Sequence, residues 1–121
     1  ASLLADLNRG RFQITMLQVP EVIEPHVLSW FFASDRIPGP GRAGGANRWR
    51  LRSPALDAAL ERGRALSGRE ARVSAYREVQ RILAEQLPVA PLWHEDVVAV
   101  VGAAARGFQV PRDGRFGTLA R

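Results

Sequence analysis

Apolar residues recur every three or four positions in the second half of the chain and predict one long amphipathic helix. The series runs through Val73, Tyr76, Val79, Leu83 and Leu87, a spacing that places these side chains on one helical face. The segment Ser67–Glu70 just before it reads Ser-Gly-Arg-Glu. It predicts a capping box, in which the serine and the glutamate each satisfy a free backbone N–H.

Three shorter helices are predicted from their apolar faces and end signals. Leu3–Leu7 carries three leucines on one face, and the helix that contains them is expected to stop at Gly10. Glu24–Pro25 is expected to open a helix, because proline is well tolerated at a first helical position. Ser53–Pro54 has the same arrangement with a serine cap, and Leu56–Leu60 supplies its apolar face.

Alternating or β-branched apolar runs predict strands between and after these helices. The candidate strands are Phe12–Leu17, Pro88–Trp93 and Val97–Val101, with short edges at Gly107–Pro111 and Arg115–Gly117 around an Asp-Gly turn. Helices and strands then alternate along the chain, so the pattern favours an α/β or α+β architecture.

Composition changes this picture little. The 121 residues carry a net charge of +5 and no cysteine, which excludes disulfides and thiolate metal sites. All 17 basic residues are arginine. A composition bias towards arginine and alanine explains this without any function in nucleic-acid binding. The arginines are scattered, except for the alternating set at Arg48, Arg50 and Arg52.

The residues that usually carry catalysis or bind metals stand in no organised pattern. Gly39–Gly45 lacks the flanking strand, helix and Lys-Ser/Thr of a phosphate-binding loop, so a surface loop is expected there. His26 and His94 have no ligand at helical spacing, and the acidic residues directly after His94 would point to opposite sides of a strand. No serine has a nucleophile context. We therefore expect no enzyme activity, no metal and no cofactor.

Two segments leave a functional and a structural interpretation open. Glu21 and Glu24 flank a predicted strand end, where α/β proteins bind ligands, although both would also suit a solvated loop. Arg48–Arg52 reads Arg-Trp-Arg-Leu-Arg. It would suit stacking and charge contacts with single-stranded nucleic acid, and equally a half-buried edge strand with Trp49 and Leu51 inward.

Taken in order, these features resemble the C-terminal part of one family, the oligopeptide/dipeptide/nickel-type (family 5) solute-binding proteins of ABC importers. The motifs span nearly the whole chain, and their order and spacing are more specific than any one of them. They are Glu24–Pro25, Asn47–Arg48, Ser53–Asp57, Arg72–Gln80, Leu87–Trp93 and Gly107–Phe108.

The resemblance implies a fold, a function and a compartment. It implies an α/β chain that forms the C-terminal lobe fragment of a type II periplasmic-binding-protein-like fold. Residues 1–93 would belong to the solute-binding lobe, and residues 94–121 would cross to a missing N-terminal lobe. The protein would be periplasmic or otherwise extracytoplasmic, with a signal peptide outside this sequence. It would capture a peptide or similar solute by lobe closure and deliver it to the ABC permease in the membrane.

The resemblance also implies ligand-binding residues: Gln18, Val19, Glu21, Asn47 and Arg48. Glu21 lies near the place of an aspartate that pairs with the substrate's ammonium group in peptide binders, but the tryptophan expected in the preceding strand is absent. The apolar surface of Val97–Val101 and Phe108 would lack its natural cover, which predicts self-association of the fragment or a disordered tail. The alternative function is a small basic nucleic-acid-binding module that uses Arg48, Trp49, Arg50 and Arg52, whereas the importer interpretation expects no nucleic acid.

Overall fold

A computed structural model describes residues 2–19, 24–39, 45–94, 96 and 98–109. The described part of the chain is helical. Its α-helices are α1 (Ser2–Arg9), α2 (Leu28–Phe32), α3 (Pro54–Ala65) and α4 (Arg69–Gln86), and its short 3₁₀ helices are Pro25–Val27, Ser34–Arg36 and Ala103–Ala105. The chain divides into a helical unit of Ala1–Gln18 and Glu24–Ala90 and a second unit of Val19–Ile23 and Pro91–Arg121.

The predicted α/β fold, and with it the type II periplasmic-binding-protein-like lobe, is wrong. Neither Phe12–Leu17 nor Pro88–Trp93 forms a strand, and the described residues of Val97–Val101 are irregular as well. Within the described ranges no residue is in a strand, and Gly39 is the single residue in an isolated β-bridge. An alternating run becomes a strand only where a neighbouring backbone accepts and donates its ladder hydrogen bonds. Phe12–Leu17 is not part of a ladder, and Ile14 within it is 91% exposed, so no element covers that side chain.

The core of the helical unit lies where α3 packs on α4. Leu56, Ala59 and Leu60 of α3 meet Tyr76, Val79 and Ile82 of α4, and Phe32 of α2 completes the buried cluster. The predicted α4 is confirmed, and Tyr76 and Val79 are buried as expected. Its buried face is narrower than predicted, because Val73 is exposed and Leu87 leaves the helix in a left-handed conformation with φ 44°.

The two central helices begin in different ways. Ser53 is the predicted cap of α3: its side chain accepts from the Leu56 N–H, and Pro54 follows at the first helical position. The capping box predicted for α4 is wrong. Its N-cap is Gly68, whose φ of 98° suits glycine, and no side chain caps the helix. Ser67 therefore stands one position before the cap, outside the capping-box register.

The predicted end of α1 is confirmed. Gly10 follows the helix with φ 73°. Its N–H donates to the Leu7 carbonyl at 3.1 Å, and the Arg11 N–H donates to the Asp6 carbonyl at 2.8 Å. These two bonds form a Schellman motif, which satisfies the last carbonyls of the helix. Of its three leucines only Leu7 is buried; Leu3 and Leu4 stay more than half exposed.

Candidate functional site

The predicted ligand residues are distributed over different parts of the molecule. Gln18, Asn47 and Arg48 belong to the helical unit, whereas Val19 belongs to the second unit. Glu21 lies outside the described residues. The structure therefore brings together Asn47 and Arg48, which are neighbours in sequence, and the joint site with Val19 and Glu21 stays a prediction.

Asn47 is fully buried and its side chain holds the helical unit together. Its amide nitrogen donates to the carbonyls of Phe32 (3.3 Å), Ala33 (3.0 Å) and Leu51 (2.8 Å). Its amide oxygen accepts the Leu51 N–H at 2.9 Å. The side chain thus joins the end of α2 to the segment that leads into α3. Both its donors and its acceptor are engaged, so a bound ligand would have to compete with these bonds.

The Arg48 side chain contacts the C-terminal end of α1. Its Nε donates to the Asn8 side-chain oxygen at 3.0 Å, and Arg50 Nη2 donates to the Asn8 carbonyl at 3.1 Å. Arg50 holds a left-handed conformation with φ 57°, which turns its side chain towards α1. The Asn47–Leu51 segment is therefore a turn fastened to the end of α1.

Trp49 is directed inward, as the structural interpretation of this segment proposed, although no edge strand forms there. Its ring lies 5.3 Å from the Phe32 ring, centroid to centroid, and it packs against the core cluster together with Leu51. The part of the Trp49 ring that packs on Phe32 is not available for stacking with a base. The nucleic-acid alternative stays a prediction.

Glu24 begins a polar network that the sequence did not predict. Its carboxylate accepts the His26 N–H at 2.7 Å and caps the first 3₁₀ helix. The same carboxylate pairs with Arg72 of α4. The Arg72 guanidinium lies 5.7 Å from the centre of the Tyr76 ring, and the Tyr76 hydroxyl is hydrogen-bonded to His26 Nδ1 at 3.0 Å. The network ties the start of α2 to the middle of α4.

Electrostatics in this network keep Glu24 ionised. Slight burial raises the pKa of Glu24, but the hydrogen bond from Arg72 and the His26 N–H outweigh it and hold that pKa below its ordinary value of 4.5. The carboxylate is therefore a fixed anion at neutral pH and a poor general base. The helix start at Glu24–Pro25 was predicted from the sequence. Arg72, which pairs with Glu24, and Tyr76, which bonds His26, lie one turn apart on a helix that the sequence did not place nearby.

A cavity of about 560 Å³ opens beside α3 in the helical unit. Its charged groups are already engaged: Asp57 accepts the Ser34 N–H at 2.9 Å, Glu61 pairs with Arg64 at 2.9 Å, and Asp35 lies 3.5 Å from Arg36. Charges of both signs would suit a zwitterionic solute, yet each would have to exchange an existing partner for it. The cavity is lined by His26, Ser29, Ala33, Ser34, Asp35, Arg36, Asp57, Leu60, Glu61 and Arg64.

Comparison with known proteins finds no matching family model, no matching curated protein and no matching solved structure. Within the described ranges, no three histidine, cysteine or carboxylate side chains are grouped as metal ligands. None of the helices in the described part of the chain is both long and apolar enough to cross a bilayer. The motifs and the contacts described above are therefore the features of the chain that bear on its function.

Proposed function

We propose that this chain is part of the solute-binding component of an ABC importer and works outside the cytoplasm. In this proposal the protein captures a peptide or similar solute by closure of two lobes and delivers it to the membrane permease. Main-chain and carboxylate contacts would orient the solute. The observation that carries the proposal is the ordered series of motifs from Glu24–Pro25 to Gly107–Phe108.

The contacts of the helical unit support this proposal, because the characteristic motif residues hold its elements together. Ser53 caps α3 and also accepts from Gln86 of α4 at 2.9 Å. Asp57 accepts the Ser34 N–H, and Tyr76 bonds His26. These residues belong to the motifs on which the resemblance is based.

The same contacts favour a binding protein over an enzyme as the working hypothesis. Glu24 is held as an anion by Arg72, and the His26 ring nitrogens face Tyr76 at 3.0 Å and Ser29 at 3.4 Å. Each of these titratable groups in the described region is committed to a neighbour that also belongs to the scaffold.

Uptake by cells tests the proposal directly. The gene that encodes this chain is deleted in its host, and accumulation of labelled dipeptides, oligopeptides and nickel is measured before and after complementation. Loss of uptake of one of these solute classes, restored by the wild-type gene, is the expected result. Unchanged uptake of all of them would contradict the proposal.

Calorimetry on the 121-residue chain supplies a second test. Because the resemblance assigns half of the cleft to another lobe, we expect negligible heat when the chain is titrated with the peptides whose uptake is lost. Micromolar binding by the chain alone would show that the cleft is not shared. A gel-shift titration across salt separates the nucleic-acid alternative, for which the complex would weaken steeply as salt rises.

A further inference from the structure

Arginines from two distant segments meet at the C-terminal end of α1. Arg48 and Arg50 donate to the side chain and to the carbonyl of Asn8. The Arg50 side chain also lies over Gly10, where an added β-carbon would overlap its Nε atom. Arg9 and Arg11 flank Gly10 in sequence, and both are exposed. We call Arg9, Arg11, Arg48 and Arg50 the basic patch.

The basic patch has no acidic partner among the described residues. None of its arginines forms an ion pair there, and Asp6 is the single acidic residue within residues 2–19. Some arginines elsewhere in the unit are neutralised: Arg81 pairs with Glu78 and Glu85, and Arg64 pairs with Glu61. Concentrated unpaired charge of one sign creates a field that attracts an oppositely charged surface.

Exposed aliphatic side chains lie close to the basic patch in sequence. Leu4 is 54% exposed and stands four residues before Asn8, the residue that Arg48 contacts, so Leu4 and Asn8 lie on one side of α1. Ile14 and Met16 follow Arg11 within a few residues and are 91% and 67% exposed. A surface that combines arginines with exposed aliphatic groups is typical of proteins that lie at a membrane interface.

We propose that the basic patch, together with the exposed Leu4, Ile14 and Met16 that are near it in sequence, docks this chain on a bilayer that contains anionic phospholipid. Charge complementarity selects the occupant: the arginines bind lipid phosphates while the aliphatic side chains enter the acyl boundary. Nucleic acid fits less well, because Trp49, the aromatic residue within this set of arginines, is packed against Phe32. The proposal does not depend on solute capture.

Vesicle co-sedimentation tests the proposal. The chain is mixed with vesicles of phosphatidylcholine alone or of phosphatidylcholine with phosphatidylglycerol. We expect binding to the anionic vesicles and little to the neutral ones. The double variant Arg9→Gln/Arg11→Gln removes two charges whose side chains bond no described residue, and we expect its affinity to fall about 30-fold. Leu4→Ser should weaken binding with the patch charge intact.

Arg69→Gln/Arg77→Gln is the matched control, because it removes the same charge from exposed positions of α4. Circular dichroism on all variants verifies that the helices persist. Three results would overturn the proposal: no binding to anionic vesicles, an equal loss in the control, or full binding by the Arg9/Arg11 variant. Displacement of the vesicles by single-stranded DNA, with tighter binding to the DNA, would assign the patch to nucleic acid instead. The readout contains no transported solute, so its failure is distinguishable from failure of the importer proposal.

Discussion

The α3–α4 pair and the segment from Pro91 to Gln109 contain similar apolar residues, which are buried in the first region and exposed in the second. Leu56 and Val79 are completely buried between the two helices, whereas Val98 and Val100 are 81% and 99% exposed. The difference follows from where each element finds its hydrogen bonds. A helix satisfies its backbone internally and needs only one apolar face to pack. A strand needs a second backbone beside it, and the described part of this segment has none.

The largest expected effect is the difference in stability loss when one apolar side chain is truncated in each region. Leu56→Ala leaves a cavity in the α3–α4 core and should lower the free energy of unfolding by about 4 kcal/mol. Val100→Ala removes a side chain that is already in solvent and should change it by less than about 0.5 kcal/mol. Urea unfolding followed by circular dichroism at the helix band measures both. Equal effects would mean that the two regions are packed alike.

A somewhat smaller loss is expected when the buried amide of Asn47 is removed. Asn47→Ala leaves the carbonyls of Phe32, Ala33 and Leu51 and the Leu51 N–H short of a partner. We expect a loss of about 3 kcal/mol in unfolding free energy. Asn8→Ala is the control: its hydrogen bonds are exposed, and about 0.5 kcal/mol or less is expected. A neutral Asn47→Ala would free this residue for the ligand role.

Substitution of one glycine in each region tests the same difference in packing density. A β-carbon at Gly63 would lie 2.9 Å from Tyr76 Cζ, whereas one at Gly102 would meet nothing within 4 Å. Overpacking at Gly63→Ala should outweigh the gain in helix propensity and cost about 1 kcal/mol net. Gly102→Ala should be neutral to within about 0.5 kcal/mol. Thermal unfolding of both variants is the measurement, and a stabilised Gly63→Ala would show a loosely packed α3–α4 interface.

The smallest effect is a pH dependence within the helical unit. The pKa of Glu24 is held below its ordinary value of 4.5, so the folded state binds its proton less readily than the unfolded state. Its contribution to stability is therefore complete above that value and is lost as the pH falls through the lowered pKa. Glu24→Gln should reduce the stability that is lost at acidic pH. Unfolding midpoints measured between neutral and acidic pH test this. An identical profile would contradict the Glu24–Arg72 pairing. Glu78→Gln, whose carboxylate pairs with Arg81 elsewhere on α4, is the comparison variant.

The sequence predicted those features that depend on nearby residues. The stop at Gly10, the Ser53 cap with Pro54, and the face of Tyr76 and Val79 are each set within one or two helical turns. Sheet formation failed as a prediction because alternation in Phe12–Leu17 specifies a strand only if a neighbour exists. The capping box predicted at Ser67 was wrong because Gly68, with its positive φ, takes the N-cap position.

The candidate site was predicted less well, for a related reason. Asn47 and Arg48 were predicted as ligand residues from a motif, yet Asn47 contacts Phe32 and Ala33, which lie well upstream in the chain. A motif marks a residue as constrained without saying whether a ligand or the fold constrains it. The Glu24–Arg72 pair and the basic patch join segments that are far apart in sequence, and periodicity carries no information about such contacts.

Amide hydrogen exchange followed by mass spectrometry tests most directly whether the scaffold of this chain is the α3–α4 helical unit and not a sheet. We predict that peptides from Pro54–Gln86 exchange slowest and near the rate of global unfolding, because these amides are hydrogen-bonded within helices that share the buried core. Peptides from Phe12–Leu17 and from residues 98–101 should exchange fast. Strong protection of those two segments, equal to that of α4, would show a paired sheet and contradict the account.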